Sequence, residues 1–235
     1  MTQNNQVSFL RHNAFFGPED SSEKVFCIIG VGATGSWAAL MAAKMGWHNF
    51  VIWDADLVES HNLPNQAYDV KHIGFKKVDA LEEVLKRFNP NVQVTKYDYF
   101  FDSENPDHVS ELSDYVFIAV DSLDTRKEIY SVLKLHPFVD VIFETRMGFT
   151  HAELNIIQSS NIHKIDEIIS MLKTDSEVTE AACNERIISS LVGIVSSALV
   201  HNMCYITSST RTGNKFENYG KTIFNLSPNL STYYS

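Results

Sequence analysis

"VFCIIGVGATGSWAALMAAKMGWHNFVIWDAD", from Val25 to Asp56, is the stretch that decides the fold. Its first part, Val25–Gly30, is a continuous apolar run that ends in glycine, which is typical of a buried parallel strand. The small and apolar residues of Gly35–Met45 predict a helix that ends at Gly46. Asn49–Asp54 predicts a second strand, so the stretch contains a complete βαβ unit.

The same alternation of strand and helix continues over the following hundred residues. Further strands are predicted at 92–99, 115–120, 140–145, 152–157 and 221–226, and further helices at 76–88, 124–136, 162–172 and from 187 onward. This order predicts an α/β fold: a doubly wound, Rossmann-like, mostly parallel sheet with helices on both faces. We expect an N-terminal arm at 1–23, a nucleotide-binding domain at 24–206 and a C-terminal extension at 207–235.

The composition limits the classes of partner and compartment. The chain carries 29 acidic and 19 basic residues, a net charge of −10, so it has no general attraction for nucleic acid or for an anionic membrane. The apolar stretch from Ile187 contains several serines and fits a buried helix better than a membrane span. Cysteines occur only at positions 27, 183 and 204, and the N-terminus lacks a signal-peptide layout. We therefore expect a cytoplasmic protein without disulfides and without zinc.

The glycine pattern Gly30-x-Gly32-x-x-Gly35 lies between the first strand and the first helix. In that position glycines allow a phosphate to approach the helix N-terminus, whose free N–H groups favour anions. Asp54 ends the second strand, where an acid would hold the ribose hydroxyls. The pattern predicts a nucleotide site, but it leaves open whether the nucleotide carries hydride or is consumed.

A second acid, Asp56, and a series of short motifs address that question. "LVESHNLPNQ" (57–66), "IGFKK" (73–77), "FNPNVQV" (88–94) and "VDSLDTR" (120–126) follow in order. With the glycine turn and the D-x-D pair, this series resembles the ThiF-type adenylyltransferases, relatives of the ubiquitin-activating enzymes. The resemblance covers roughly residues 11–146, and it implies that ATP and Mg²⁺ are the cofactors and that ATP is spent.

The resemblance also implies roles for individual residues of the nucleotide site. Asp54 would hold the ribose of ATP, and Asp56 would lie near the magnesium ion and the phosphates. Asn62 and Gln66 would contact the nucleotide and phosphate region, and Lys77 would pair with the phosphates.

Three further residues receive roles from the resemblance. Asp121 would bind the magnesium ion, whereas Arg126, which matches the arginine of the same motif, would be structural. Arg11, in "RHNAFFG", would reach the phosphate site of a partner subunit, which implies a homodimer.

The sequence departs from the family pattern at several positions. Asn65 stands where the family has an arginine, Ser122 replaces an asparagine, and Ala33 replaces a frequent glycine. Arg146 and Lys76 are candidate substitutes for the missing positive charge. The "YDYFF" run at 97–101 alternates as a strand would, so we expect core packing there.

Cys183 lies in a polar segment before the last helix, where some family members use a cysteine to form a covalent intermediate. A buried core cysteine is the other interpretation. Cys27 and Cys204 fall within apolar elements and are expected to be structural.

These observations lead to one expected function and several alternatives. We expect an ATP-dependent adenylyltransferase that activates the C-terminal carboxylate of a small ubiquitin-like, sulfur-carrier or peptide substrate, with no nucleic-acid or membrane partner. One alternative is a nicotinamide-dependent oxidoreductase. Others are a non-catalytic activating-enzyme-like binding subunit and an enzyme that activates a carboxylate on an RNA base.

Overall fold

A mixed β-sheet organises the chain. The computed structural model describes residues 7–174, 189–217, 219–226 and 230–234. Within these residues the sheet has eight strands, in the order β3-β2-β1-β4-β5-β6-β7-β8. The strands are β1 Phe26–Ile29, β2 Asn49–Trp53, β3 Gln93–Tyr97, β4 Asp114–Ile118, β5 Val139–Met147, β6 His151–Gln158, β7 Gly220–Asn225 and β8 Ser231–Tyr234. The described α-helices are α1 Ala33–Met45, α2 Lys77–Phe88, α3 Pro106–Ser110, α4 Leu123–Leu133, α5 Ile162–Met171 and α6 Ser189–Thr212.

The first five strands are parallel and are covered on both faces. In β1, Phe26 and Ile28 pack in one core with α1, α2 and α6, while Cys27 and Ile29 pack in a second core with α4 and α5. A strand that is buried on both faces must be apolar at every position, which explains the continuous run in the sequence. The predicted doubly wound, Rossmann-like fold is confirmed.

Three antiparallel strands extend the sheet beyond β5. β5 and β6 form a hairpin, and β7 and β8 add in turn to its outer side. The strand expected in the C-terminal segment corresponds to β7, whereas β8 was not predicted. The side chains of Tyr233 and Tyr234 in β8 are largely exposed, so this edge strand lacks the alternation that marks a strand with one buried face.

Helix α6 is, by length and composition alone, apolar enough to cross a membrane over Ser189–Ser209. In the structure it lies against α1 and β6. It buries Leu191, Val195 and Leu199 in the core that it shares with α1. The hydrophobic face of α6 is thus accounted for by packing within the fold.

Candidate functional site

A cavity of about 870 Å³ opens at the carboxyl ends of the parallel strands. In doubly wound sheets ligands bind in this crevice, where the strand order reverses, because loops to opposite faces diverge there. The order changes direction at β1, which has β2 on one side and β4 on the other. The cavity lies at the ends of these three strands and of β5.

The glycine turn after β1 forms one wall of the cavity. Gly30 has φ of +93°, and its N–H donates to the carbonyl of Trp53 at 2.9 Å. A Cβ atom on Gly35 would lie 2.1 Å from the carbonyl oxygen of Gly30, whereas a Cβ on Gly32 would meet no atom within 4 Å. Gly30 therefore allows the left-handed backbone conformation of the turn, and Gly35 allows the close approach of α1 to the turn. Gly32 leaves open space beside the cavity.

Helix α1 starts directly after this turn. Its N-cap is Gly32, which offers no side-chain acceptor to the first N–H groups. Gly32, Ala33 and Thr34 all line the cavity. A helix N-terminus with free N–H groups is a suitable site for a phosphate.

Asp54, at the end of β2, is the best-fixed acid of the site. Its two carboxylate oxygens accept from the N–H of Val31 at 2.8 Å and from the N–H of Asp56 at 2.9 Å. Burial raises the pKa of Asp54 above its usual value, although Lys77 and the two N–H groups act in the opposite direction. The two hydrogen bonds fix the position of the Asp54 carboxylate, and they also stabilise the backbone at Val31 and Asp56.

Lys77 begins α2 and reaches back into the cavity. Its Nζ lies 2.6 Å from Oδ2 of Asp56 and 3.8 Å from Oδ1 of Asp54, and only 9% of its side chain is exposed. The backbone N–H of Lys77 also donates to the carbonyl of Asp56 at 2.9 Å. The D-x-D pair and the lysine therefore form one connected group.

Asp121 follows β4 and lines the cavity as well. Its Oδ1 accepts from the N–H of Ser122 at 2.9 Å, and the residue is exposed. Magnesium prefers oxygen ligands and commonly takes one or two protein carboxylates together with substrate phosphates. Among the described residues no three His, Cys, Asp or Glu side chains are grouped to hold a metal by themselves. An exposed carboxylate that lines a cavity of this volume nevertheless fits a magnesium ion that enters with a nucleotide.

The loop after β2 contributes three amide side chains to the cavity. Asn62 is tied to the loop because its Oδ1 accepts from the N–H of Glu59 at 2.8 Å. Asn65 Oδ1 and Gln66 Oε1 are buried and accept no hydrogen bond from the described part of the chain. Buried acceptors of this kind are available to a ligand or to water.

Two candidate substitutes for the missing family arginine lie elsewhere. Arg146 donates from Nε to Glu144 at 2.8 Å and is not among the residues that line the cavity. Alternation along β5 explains this, since its neighbours Thr145 and Met147 line the cavity instead. Lys76 pairs with Asp98 on the surface and is also outside the lining. Neither residue lines the cavity, so neither replaces the positive charge of the family arginine there in the way that the sequence suggested.

Arg11 is exposed and does not line the cavity of its own chain. The next residue, His12, contacts the carbonyl of Met45 at 3.1 Å, at the end of α1 opposite the glycine turn. A role for Arg11 in the site of a partner subunit stays a prediction. Cys183 lies outside the described residues. Cys27 and Cys204 are buried, and burial raises the pKa of each thiol to about 12, which suits a structural role.

Several lining residues were missed from the sequence. Phe100 and Asp102 follow β3, and Thr145 and Met147 belong to β5. The expected strand packing of 97–101 is wrong in part, because β3 ends at Tyr97 and Phe100 is 72% exposed. The signal that could have identified these residues is positional: they follow or end strands whose carboxyl ends meet at the cavity.

The sequence profile of the ThiF family matches residues 13–232. The chain belongs to the ThiF family. This agrees with the glycine turn, the D-x-D pair and the lysine that the structure brings to one cavity.

The sequence alignments with similar proteins cover only part of the length of each of those proteins. The chain is 33% identical over 81 residues to ubiquitin-like modifier-activating enzyme 5 of Bombyx mori, which is 34% of this chain and 21% of that relative. It is 31% identical over 99 residues to tRNA threonylcarbamoyladenosine dehydratase of Escherichia coli K12, which is 41% of this chain and 37% of that relative. The chain therefore spans less than half of each of these relatives.

Solved structures share the fold over nearly the whole chain. PaaA superposes with a TM-score of 0.72 at 18% identity, and the superposition covers 100% of this chain and 77% of PaaA. E. coli MccB, in a crystal structure with ATP, gives 0.70 at 11% identity over 93% of this chain and 65% of MccB. E. coli TcdA, a tRNA N6-threonylcarbamoyladenosine dehydratase, gives 0.62 at 18% identity over 84% of this chain and 91% of TcdA. At these identities the likeness shows the fold.

Proposed function

We propose that this member of the ThiF family is an ATP-dependent adenylyltransferase that activates the C-terminal carboxylate of a small ubiquitin-like, sulfur-carrier or peptide substrate. The observation that carries the proposal is the arrangement of Lys77 beside the Asp54–Asp56 pair, in one cavity with Asp121 and the N-terminus of α1. Membership of the family and the names of the relatives support the same chemistry.

The reaction needs fixed charges and positioning more than proton chemistry. A substrate carboxylate oxygen forms a bond to the α-phosphorus of ATP, and the bond from that phosphorus to pyrophosphate breaks. The products are an acyl-adenylate and pyrophosphate. Lys77 and the free N–H groups of α1 would stabilise the negative charge that develops. Asp54 would hold the ribose, and Asn62 and Gln66 would contact the nucleotide.

The charge of the cavity supports a divalent ion as part of the substrate complex. Five acidic residues and two basic residues line it: Asp54, Asp56, Asp102, Asp121 and Glu128 against Lys77 and Arg126. A triphosphate would be repelled by this surplus of carboxylates unless a cation accompanied it. Mg²⁺ bound through Asp121 and the phosphates would supply that charge, and this is the chemistry that the ion contributes.

The remaining parts of the proposal concern assembly and location. We propose a homodimer in which Arg11 of each subunit serves the site of its neighbour, which is consistent with its absence from the cavity of its own chain. The acidic composition and the few cysteines support a cytoplasmic protein without a general nucleic-acid or membrane surface.

The test is ATP–pyrophosphate exchange with Mg²⁺ and a panel of candidate substrates. Small proteins with a terminal Gly-Gly, sulfur carriers and short peptides are compared with the same molecules blocked as C-terminal amides. We expect exchange that requires a free carboxylate and Mg²⁺. Binding of NAD in place of ATP would contradict the proposal in favour of an oxidoreductase. ATP binding without exchange for any carboxylate would leave a non-catalytic binding subunit as the better description.

One alternative substrate has a specific observation in its favour. A relative of 31% identity and a structural neighbour are both named as tRNA threonylcarbamoyladenosine dehydratases. Activation of a carboxylate on an RNA base would use the same cavity. The surplus of carboxylates around the cavity argues against an RNA strand at its mouth. Exchange that is stimulated by tRNA and not by proteins or peptides would reverse this preference.

A further inference from the structure

Arg126 contributes a guanidinium to the wall of the cavity and uses only part of it within the protein. The residue lies in α4, lines the cavity and is 8% exposed. Its Nη1 donates to the carboxylate of Glu144 and, at 2.8 Å, to the carbonyl of Thr145. No hydrogen bond from the other two side-chain nitrogens to a described residue is present, and Nε is buried without a partner there. Since a guanidinium has five N–H donors, Arg126 keeps donors for a ligand.

Glu144, on β5, is the group that fixes Arg126. Its carboxylate is fully buried and also accepts from Nε of Arg146 at 2.8 Å and from Nδ2 of Asn155 at 2.6 Å. Two guanidiniums therefore share one carboxylate. Arg146 in addition lies opposite Glu153 in the β5–β6 ladder. The Glu144 carboxylate carries one negative charge against two guanidiniums, and Arg146 also has Glu153 opposite it. The guanidinium charge that is not balanced within the protein is therefore that of Arg126, at the cavity.

The other cation of the cavity is more fully engaged. Lys77 lies within 4 Å of both Asp54 and Asp56, and the family arginine is replaced by the uncharged Asn65. Among the described lining residues Arg126 is thus the cation with the greater share of unused donors. A planar guanidinium that is held on one side by a carboxylate is well suited to bind phosphate oxygens with the other side.

We infer that Arg126 is a further nucleotide-binding residue, which donates to a phosphate oxygen of ATP, and that Glu144 is the positioning residue that holds its guanidinium at the cavity wall. This inference rests on the proposed function. It differs from the expectation that Arg126 is purely structural, because a structural tether between α4 and β5 would leave ATP affinity unchanged once folding is accounted for.

Arg146 provides a matched control. It is bound to the same carboxylate as Arg126 but does not line the cavity. The experiment measures the Kd of ATP with Mg²⁺ by calorimetry for the wild type, Arg126→Gln and Arg146→Gln, with circular dichroism to establish that each is folded. We expect Arg126→Gln to weaken ATP binding about tenfold or more, which corresponds to about 1.4 kcal/mol. Arg146→Gln should stay within about twofold.

Equal weakening by both variants, or unchanged affinity in folded Arg126→Gln, would overturn the inference. If Arg126→Gln does not fold, Arg126→Lys takes its place. One ammonium cannot serve both Glu144 and a phosphate in the geometry of the guanidinium, so a loss of at least about threefold is expected, and none would overturn the inference. A wild-type protein that does not bind ATP would contradict the proposed function itself, which keeps the two failures distinct.

The role of Glu144 is tested by a double-mutant cycle. Glu144→Gln should weaken ATP binding in the wild-type background and have no further effect in the Arg126→Gln background, because it acts through Arg126. Equal weakening by Glu144→Gln in the two backgrounds would show that Glu144 affects ATP binding independently of Arg126. Unchanged ATP affinity in folded Glu144→Gln would show that Glu144 serves only the stability of the fold. Either result would overturn its positioning role.

Discussion

Nζ of Lys77 lies 2.6 Å from Oδ2 of Asp56, so the first residue of α2 is bound to the acid that follows β2. The pair is partly buried, and the lysine side chain is only 9% exposed. A lysine held in this way is pre-oriented, and it can exchange its carboxylate partner for a phosphate without a large movement.

Removal of the Lys77 ammonium is expected to slow ATP–pyrophosphate exchange by about 100- to 1000-fold, because a preorganised charge-stabilising donor contributes about 3–4 kcal/mol to the transition state. Lys77→Ala is compared with Lys76→Ala. The neighbouring lysine has the same charge but pairs with Asp98 outside the cavity, so its loss should change the rate less than about twofold. Similar rates for the two variants would contradict the role of Lys77.

Two glycines of the turn should respond differently to alanine. Gly35→Ala would bring a Cβ to 2.1 Å from the carbonyl oxygen of Gly30, so the turn must shift and the free energy of unfolding should fall by about 1–3 kcal/mol. Gly32→Ala meets no protein atom within 4 Å, so stability should change little while ATP affinity falls. Urea denaturation and ATP titration measure the two effects. Gly32→Ala with unchanged ATP affinity would mean that phosphate does not approach this position.

Asp121→Asn keeps an oxygen that can accept from the N–H of Ser122 but loses the negative charge. We expect the Mg²⁺ concentration for half-maximal exchange to rise at least about tenfold, since the carboxylate is a preferred ligand of this ion. Asp107→Asn, an exposed acid of α3 outside the cavity, serves as the control. An unchanged Mg²⁺ requirement in Asp121→Asn would assign the ion to another residue.

The proposed exchange of Arg11 between subunits can be tested by complementation. Arg11→Ala and Asp121→Asn should each be poorly active alone. After mixing under conditions that allow subunit exchange, about a quarter of the sites should combine an intact Arg11 with an intact Asp121 from the other subunit. Recovery of activity on mixing is the expected result. A monomer in sedimentation, or a mixture no more active than its components, would contradict the shared site.

Glu144 should make stability depend on pH in acid solution. Burial opposes its ionisation, but Arg126 and Arg146 outweigh burial and hold the pKa of Glu144 below its usual value of 4.5. The ionised group therefore stabilises the folded state above about pH 4.5, and this contribution is lost as pH falls through the lowered pKa. At neutral pH Glu144→Gln should cost about 3–5 kcal/mol, because two guanidiniums lose their partner.

The contribution of Glu144 is isolated by subtracting the unfolding free energy of Glu144→Gln from that of the wild type at each pH. Asp54 has a raised pKa, mainly through burial, and titrates with the opposite sign, but it does so in both proteins and cancels in the difference. We expect the difference to be constant near neutral pH and to shrink below about pH 4.5. A difference that grows on acidification would refute the assigned sign.

The strands and helices that surround the cavity could be predicted because both faces of the parallel sheet are buried. β1 is apolar at every position, and the buried face of α1 consists of small residues that allow close packing on it. Gly30, Asp54 and Asp121 are distant in sequence, yet each follows a parallel strand at the same edge of the sheet, and Lys77 begins the helix that comes after the β2 loop. Their convergence is a consequence of the topology.

The parts that escaped prediction depend on long-range geometry that local pattern does not contain. β8 pairs with β7 at an exposed edge, where no apolar alternation is required. Arg146 seemed a substitute cation because it ends an apolar strand, but alternation turns it toward Glu144 while Thr145 lines the cavity. The family resemblance also implied a structural Arg126, and only the structure shows that this residue lines the cavity.

A single hydroxyl ties the longest described helix to the first turn of α1, which lines the cavity. Ser196, in the middle of α6, donates to the carbonyl of Thr34 in the first turn of α1 at 3.2 Å, in a fully buried contact. Helix α6 thus supports the N-terminus of α1 from behind. We expect repacking of α6 to shift this wall of the cavity without changing a lining residue, so tests of the proposed ATP binding will also report on the integrity of a helix outside the site.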